Sequence, residues 1–212
     1  MTTVDRVNSF NASQAANPVD LGDVGSARPG SNVAEMDYTD IPLEDCRVGD
    51  DAAMLLFALD RVHRQFAWKS GGLTAEQLGT RHPPSGVTVA GTMVHLAKVE
   101  ESWTASAAGR EVGSPVIGAD GESHYDAEWQ EAPKLPPEDL YALWYDTIAR
   151  CRQEWAGLVV DGGLDVLCTD DPGYVVNRRR RLVDILEENL LHTGQTSIIR
   201  EAIDGLVGND PP

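Results

Sequence analysis

The stretch RRLVDILEENLLHTGQTSIIREAIDG, residues 180–205, carries the pattern that decides the fold. Its apolar residues recur at helical spacing and it ends at Gly205, so it indicates a helix over about residues 178–205. On a helical wheel at about 100° per residue, Glu188 and His192 lie about 40° apart on the apolar stripe. The sequence therefore directs a carboxylate and an imidazole towards the core, although the helix has polar positions elsewhere.

An inward-facing carboxylate such as Glu188 needs a compensating partner, because a buried charge without one is costly. Residues four apart on a helix have Cβ atoms about 5–6 Å apart, from which an oxygen and a nitrogen can both reach one ion at about 2 Å. A third ligand is expected from a facing helix, where His95 lies in MVHLAKVEE. His95, Glu188 and His192 would form a metal site with an open coordination position. The alternatives are a helix-stabilising Glu–His pair and a hydrogen-bonded core histidine.

The remainder of the chain supplies the helices that such a site needs. Apolar spacing, with breakers or a Pro at the ends, predicts three further helices at about 50–69, 87–108 and 137–156. No convincing strand pattern and no internal repeat are present, and residues 110–136 and 157–177 read as loops, with Trp129 packing down from the first.

These elements predict an all-α fold, a four-helix bundle with long crossover loops. The bundle is expected over residues 46–206, followed by a short tail at 207–212. Residues 1–45 are acidic, poor in aromatics and rich in scattered Gly, Pro, Ser and Asn, so they are expected to form an irregular extension.

Composition excludes several classes of partner. The chain has 34 acidic against 17 basic residues and a formal net charge of -17, which argues against binding nucleic acid. It has no long apolar run and no signal-peptide pattern, so a cytoplasmic protein without a membrane partner is expected. Its three cysteines are too scattered for a disulfide framework or a thiolate zinc site: Cys46, Cys151 and Cys168.

Three segments carry a resemblance to a known family: VTVAGTMVHLAKVEESW (87–103), EENLLHTGQ (187–195) and SIIREAIDG (197–205). They resemble the DinB-like superfamily of metal-binding four-helix bundles, in particular the actinobacterial branch of mycothiol-dependent maleylpyruvate isomerase and related thiol S-transferases. In that family one ligand is a His in a His-Leu-x-x-x-Glu-like segment, matched by His95. The branch's Glu-x-x-x-His pair is matched by Glu188 and His192. The resemblance implies a divalent metal, usually zinc, and the ligand set also accepts nickel or manganese.

The resemblance further implies a thiol S-transferase or isomerase that uses mycothiol as a cosubstrate against a small electrophile. Gln195 stands where close relatives often carry a second His, so it is a candidate hydrogen-bonding group behind the ligands. Arg181 lies on the stripe of Glu188, about 10 Å along the helix axis, and is expected to receive a carboxylate of the thiol or substrate. The alternative for Arg181 is a solvated basic cluster that pairs with acidic surface.

Two other functions stay open at this stage. One is metal–water hydrolysis, which needs a general base, and Glu100 and Asp184 are the candidates for it. The other is a non-catalytic, metal-stabilised helical homodimer, in which His63 could complete the site as a fourth ligand, or else line the cavity or make a core hydrogen bond. Catalysis is the favoured interpretation, because three protein ligands leave a coordination position open.

Overall fold

The structure, a computed structural model, describes residues 37–113 and 125–212, except for the side chains of residues 125–127. Of the irregular extension expected over residues 1–45, the part up to residue 36 lies outside the described residues. The described residues contain four long helices, α1 (Asp51–Ser70), α3 (Val89–Ala108), α5 (Pro137–Leu158) and α6 (Arg178–Asp204). Between them lie two short helices, α2 (Ala75–Leu78) and α4 (Tyr125–Glu131).

The ends of the long helices follow from local side-chain chemistry. The side chains of Asp50, Thr88 and Asn177 each accept a hydrogen bond from a backbone N–H in the first turn of the helix that follows. At the other end, Gly109 and Gly205 close α3 and α6 with φ angles of 69° and 79°, in the left-handed region that glycine adopts without strain. These caps fix where the two helices that carry the predicted ligands begin and end.

The predicted all-α bundle is confirmed. Helix α3 packs against both α5 and α6, and α1 packs against α6, so α3 and α6 face each other in the interior. Buried apolar side chains form two clusters between these helices. The first includes Phe66, Leu96 and Trp144, and the second includes Leu59, Trp155 and Leu182.

The prediction that residues 110–136 form only a loop is wrong at its C-terminal end, where α4 is followed by a 3-10 turn at Ala132–Lys134. The loop predicted over 157–177 likewise contains a 3-10 turn, Val160–Asp165, and two strands, β1 (Leu167–Cys168) and β2 (Val176–Asn177). The strands pair antiparallel. Elements of two to seven residues are too short to show a hydrophobic period, which is why the sequence pattern missed them.

None of the helices in the two described ranges is both long enough and apolar enough to cross a membrane.

Candidate metal site

Helices α3 and α6 bring the three predicted ligands together. The Nε2 atom of His95 lies 3.3 Å from Oε2 of Glu188, and Nε2 of His192 lies 3.4 Å from the same oxygen. One potential ligand atom from each residue falls within 4.8 Å of the other two. The side chains are 17%, 28% and 10% exposed for His95, Glu188 and His192, so the cluster lies at the edge of the bundle with one side accessible.

The donor set fits a divalent transition metal. Two imidazole nitrogens and one carboxylate oxygen are ligands that zinc, nickel and manganese accept. Two atoms bound tetrahedrally to zinc at about 2 Å are separated by about 3.3 Å. The two measured separations at Glu188 Oε2 agree with that value, and both are slightly longer than an ordinary hydrogen bond.

The electrostatics of the cluster are those of a site that holds positive charge. Burial lowers the pKa of His95, but its hydrogen bonds with Glu128 and Glu188 outweigh burial and raise that pKa to about 9. The hydrogen bonds of Glu188 with His192 and His95 lower its pKa to about 2, against the opposing effect of burial. Glu188 is therefore ionised between two imidazoles, and a proton on His95 or a metal ion can balance its charge.

Glu128, on α4, is a further member of the site that the sequence interpretation missed. Its Oε2 lies 3.0 Å from Nδ1 of His95, and its Oε1 forms an ion pair with Lys98. Burial raises the pKa of Glu128, but the bonds with His95 and Lys98 outweigh it, so the pKa is lowered. The one signal in the sequence was its neighbour Trp129, which was expected to pack against the bundle.

Trp129 and Gly91 seat α4 against α3. The Trp129 ring lies with its centroid 5.7 Å from that of His95 and 6.3 Å from that of His192. A Cβ atom at Gly91 would lie 2.4 Å from Cε3 of Trp129, far inside van der Waals contact. The space that Gly91 leaves on α3 is thus filled by this indole.

The two other predicted site residues flank the cluster along α6. Arg181 is buried: its Nε donates to Oγ of Ser106 at 3.0 Å, a terminal nitrogen lies 3.9 Å from Asp170, and the guanidinium lies over the ring of Tyr174. Gln195 has a buried Oε1 that accepts no hydrogen bond from the described part of the chain.

The alternative expected for the arginine run, a solvated basic cluster, describes only part of it. Arg178 donates to the backbone carbonyls of Ala107 and Leu158. Arg179 and Arg180 instead pair with acidic side chains, which are Asp51, Asp165 and Asp184. Arg181 differs from Arg179 and Arg180, since it donates to a neutral hydroxyl and its nearest carboxylate is at the limit of an ion pair.

Residues considered for the alternative functions have other partners. Nε2 of His63 lies 2.6 Å from Oε1 of Glu100, and Nδ2 of Asn189 donates to that same oxygen at 2.9 Å. His63 therefore makes a core hydrogen bond, one of the three roles considered for it. Asp184 is buried and pairs with Arg180. One oxygen of each candidate general base, Oε1 of Glu100 and Oδ1 of Asp184, is thus already held in a hydrogen bond.

Fold and site together define a DinB-like helical bundle in which two facing helices present a His-Glu-His cluster. Residues 54–205 match the mycothiol S-transferase family, and the chain belongs to that family. The predicted DinB-like relationship is confirmed.

Two solved structures share the fold. A conserved protein from Enterococcus faecalis superposes with a TM-score of 0.60 at 16% identity, covering 75% of this chain and 100% of that protein. A mycothiol-dependent maleylpyruvate isomerase superposes with a TM-score of 0.51 at 14% identity, covering 75% of this chain. The present chain spans 62% of the length of that isomerase. No curated protein matches the sequence.

Proposed function

We propose that this protein is a metal-dependent S-transferase or isomerase that uses a low-molecular-weight thiol, mycothiol, against a small electrophile. His95, Glu188 and His192 would hold a divalent ion. Zinc is the expected ion, and nickel and manganese are the alternatives. The observation that carries the proposal is the convergence of three ligand atoms within 4.8 Å at an accessible edge of the bundle. Membership of the mycothiol S-transferase family supports the thiol as the cosubstrate.

The chemistry divides between the ion and the residues around it. When bound, a divalent ion lowers the pKa of a coordinated thiol, which is about 8.5 when free, and so supplies a thiolate near neutral pH. Three protein ligands leave room for such a thiol. Glu188 contributes a negative charge to the ligand set, while Trp129 provides an apolar wall beside both imidazoles. An electrophile would have access to such a thiolate from the exposed side of the cluster.

Arg181 is the proposed recognition group for a carboxylate of the thiol or the electrophile. It is buried, and its charge faces a hydroxyl and a distant carboxylate rather than a close ion pair. Arg181→Ala should therefore weaken thiol binding or turnover, whereas Arg179→Ala, which removes an arginine already paired with Asp51 and Asp165, should not. Unchanged thiol affinity and turnover in the Arg181 variant would contradict this role.

Gln195 is proposed to hydrogen-bond a bound ligand. Its buried Oε1 has no partner within the described residues, and it lies about one helical turn beyond His192. Gln195→Leu should raise KM for the thiol or electrophile with the metal content unchanged. Identical kinetics in this variant would remove Gln195 from the site.

The decisive experiment compares metal content and thiol chemistry in matched variants. Metal is measured by elemental analysis in the wild type, in Glu188→Ala and in Glu187→Ala, whose glutamate is the exposed neighbour on the same helix. We expect about one ion per chain in the wild type and in the Glu187 variant, and little in the Glu188 variant. A thiol-conjugation assay with and without chelator then tests catalysis. Full metal content in Glu188→Ala would contradict the site.

The same experiment separates the alternatives. Turnover of esters or amides by the metal-loaded protein without any thiol would favour the hydrolase, although Glu100 and Asp184 are engaged elsewhere. Metal that stabilises the fold without any turnover would favour a non-catalytic helical protein. The homodimer stays a prediction, to be checked by light scattering.

A further inference from the structure

The geometry points to Glu128 as the residue that positions His95 for metal binding, through a hydrogen bond from Nδ1 of the imidazole to the Glu128 carboxylate. This inference rests on the proposed metal site. Nδ1 of His95 lies 3.0 Å from Oε2 of Glu128, while Nε2 points towards Glu188. An imidazole that donates through Nδ1 has its lone pair on Nε2, the atom that the cluster requires as a ligand.

Both oxygens of Glu128 are engaged, so the carboxylate has a defined orientation. Oε2 contacts His95 and Oε1 contacts Lys98, which lies three residues further along α3. The Glu128 side chain is only 5% exposed, and a buried carboxylate is retained only where its charge is compensated. Lys98 supplies this compensation without occupying the oxygen that faces the imidazole.

The packing of α4 against α3 explains how a helix of seven residues can hold the Glu128 carboxylate in place. Gly91, His95 and Lys98 lie about one turn apart on α3, and each contacts α4: Gly91 at Trp129, and the other two at Glu128. The Trp129 ring packs so closely against Gly91 that no residue with a Cβ atom would fit there without a shift. The position of Glu128 is therefore set by its neighbour as well as by its own bonds.

The second imidazole provides an internal contrast. Nδ1 of His192 is buried and has no hydrogen-bond partner in residues 37–113 and 125–212. Of the two histidine ligands, His95 alone has a carboxylate behind it among those residues. Glu128 thus fixes the orientation of His95, whereas no such contact fixes Nδ1 of His192 within those residues.

The test measures metal affinity in variants of the full chain. Apparent Kd values for Zn²⁺ and Co²⁺ are determined by competition with a chromogenic chelator for the wild type, Glu128→Ala, Glu128→Gln and Glu131→Gln. Glu131 is the matched control, because it lies on α4 but pairs with Lys134 at the surface. We expect Glu128→Ala to bind about 10- to 100-fold more weakly, as is typical when a group supporting a ligand is lost.

Two further readouts distinguish positioning from a general structural effect. Glu128→Gln keeps an acceptor for Nδ1 and should recover part of the affinity. The visible absorption bands of bound Co²⁺ should shift in Glu128→Ala and stay unchanged in Glu131→Gln. Wild-type affinity and an unshifted Co²⁺ spectrum in Glu128→Ala would overturn the inference.

A measurement on the wild type covers the case in which Glu128→Ala does not fold. Nitrogen-15 histidine spectra of the zinc-loaded protein should show His95 bound through Nε2 with a slowly exchanging proton on Nδ1. A proton on Nε2, or metal bound through Nδ1, would refute the inference. A wild-type chain that binds no metal contradicts the proposed function and this inference with it, whereas normal binding by Glu128→Ala contradicts the inference alone.

Discussion

Two of the histidine–glutamate pairs among the described residues, His63–Glu100 and His95–Glu188, differ in burial and in separation. In the core, His63 and Glu100 are 1% and 0% exposed and are separated by 2.6 Å, with Asn189 donating to the same oxygen. At the edge, His95 and Glu188 are 17% and 28% exposed and are separated by 3.3 Å. Asn189 directly follows Glu188 on α6, so adjacent residues of one helix serve both pairs.

The difference shows that the surroundings decide what a His–Glu pair can do. The core pair is short and inaccessible, with Asn189 bonded to the same oxygen, which suits a structural hydrogen bond. At the edge, one Glu188 oxygen lies between two imidazoles at distances longer than an ordinary hydrogen bond, with one side accessible. That arrangement suits an ion, and the two pairs should respond in opposite ways to substitution.

The largest expected effect is on the edge pair. His192→Ala should reduce Zn²⁺ affinity by more than about 100-fold, above the loss expected for a supporting group, because it removes a ligand. The free energy of unfolding of the metal-free protein should fall by about 1–2 kcal/mol, because the variant loses the contact of His192 with Glu188 while Glu188 stays partly exposed and bonded to His95. Chelator competition measures the Zn²⁺ affinity, and urea denaturation measures the free energy of unfolding. Unaltered affinity would disqualify His192 as a ligand.

The core pair should show the reverse behaviour. His63→Ala removes one of the two hydrogen bonds to the buried Glu100 carboxylate, and only the bond from Asn189 is left among the described residues. The free energy of unfolding should therefore fall by about 3 kcal/mol. Zn²⁺ affinity of the folded protein should not change. His82→Ala, at an exposed loop histidine, is the control for both measurements. A loss of metal binding in His63→Ala with normal binding in the control would mean that the two pairs are not independent.

Two helical glycines extend the comparison to the surroundings of the site. Gly91→Ala should destabilise the protein by about 1–3 kcal/mol, because the new methyl group would meet the Trp129 ring. Gly194→Ala, on the exposed face of α6, meets nothing within 4 Å and should stabilise the protein by about 0.5–1 kcal/mol through helix propensity. Thermal or urea unfolding measures both. Equal effects would show that α4 does not depend on Gly91.

The smallest expected effect is the pH dependence of the metal-free site. The raised pKa of His95, about 9 against 6.5, contributes stability that is present below about pH 6.5 and lost as pH rises through 9. The lowered pKa of Glu188, about 2 against 4.5, contributes stability that is present above about pH 4.5 and lost as pH falls through 2.

Both contributions are fully present between about pH 4.5 and 6.5, so the difference in unfolding free energy between the chelator-treated wild type and Glu188→Gln should be largest in that window. Urea denaturation over a pH series measures this difference. A difference that does not vary with pH would mean that the two groups are not coupled in the folded protein.

The sequence predicted that His95, Glu188 and His192 converge because they lie on long helices, where the wheel position of a residue determines which way it points, and the structure brings their ligand atoms within 4.8 Å of one another. These three residues could be placed in this way from the sequence. Glu128 could not, because α4 is seven residues long and the segment before it carries no period. Its role depends on a contact between elements that are distant in sequence, and on a glycine whose purpose appears only when Trp129 lies against it.

Arg181 shows a different limit. The wheel placed it on the stripe of Glu188, and the structure does bury it, but its neighbours Ser106 and Asp170 come from α3 and from the loop between the strands. No pattern within α6 could have indicated them. The role of Arg181, like that of Gln195, stays a prediction until variants are measured.

Helix α6 carries Arg181, Glu188, His192 and Gln195 on one continuous rod of 27 residues. Because adjacent residues on a helix differ by about 100° in direction, inserting a single residue between Arg181 and Glu188 would turn the arginine away from the face that the other three occupy. Inserting residues in the turn between β1 and β2 would shift none of them along the rod. The geometry of one helix thus sets the distances between these four groups. Any ligand that contacts all of them must have its own binding groups at matching distances.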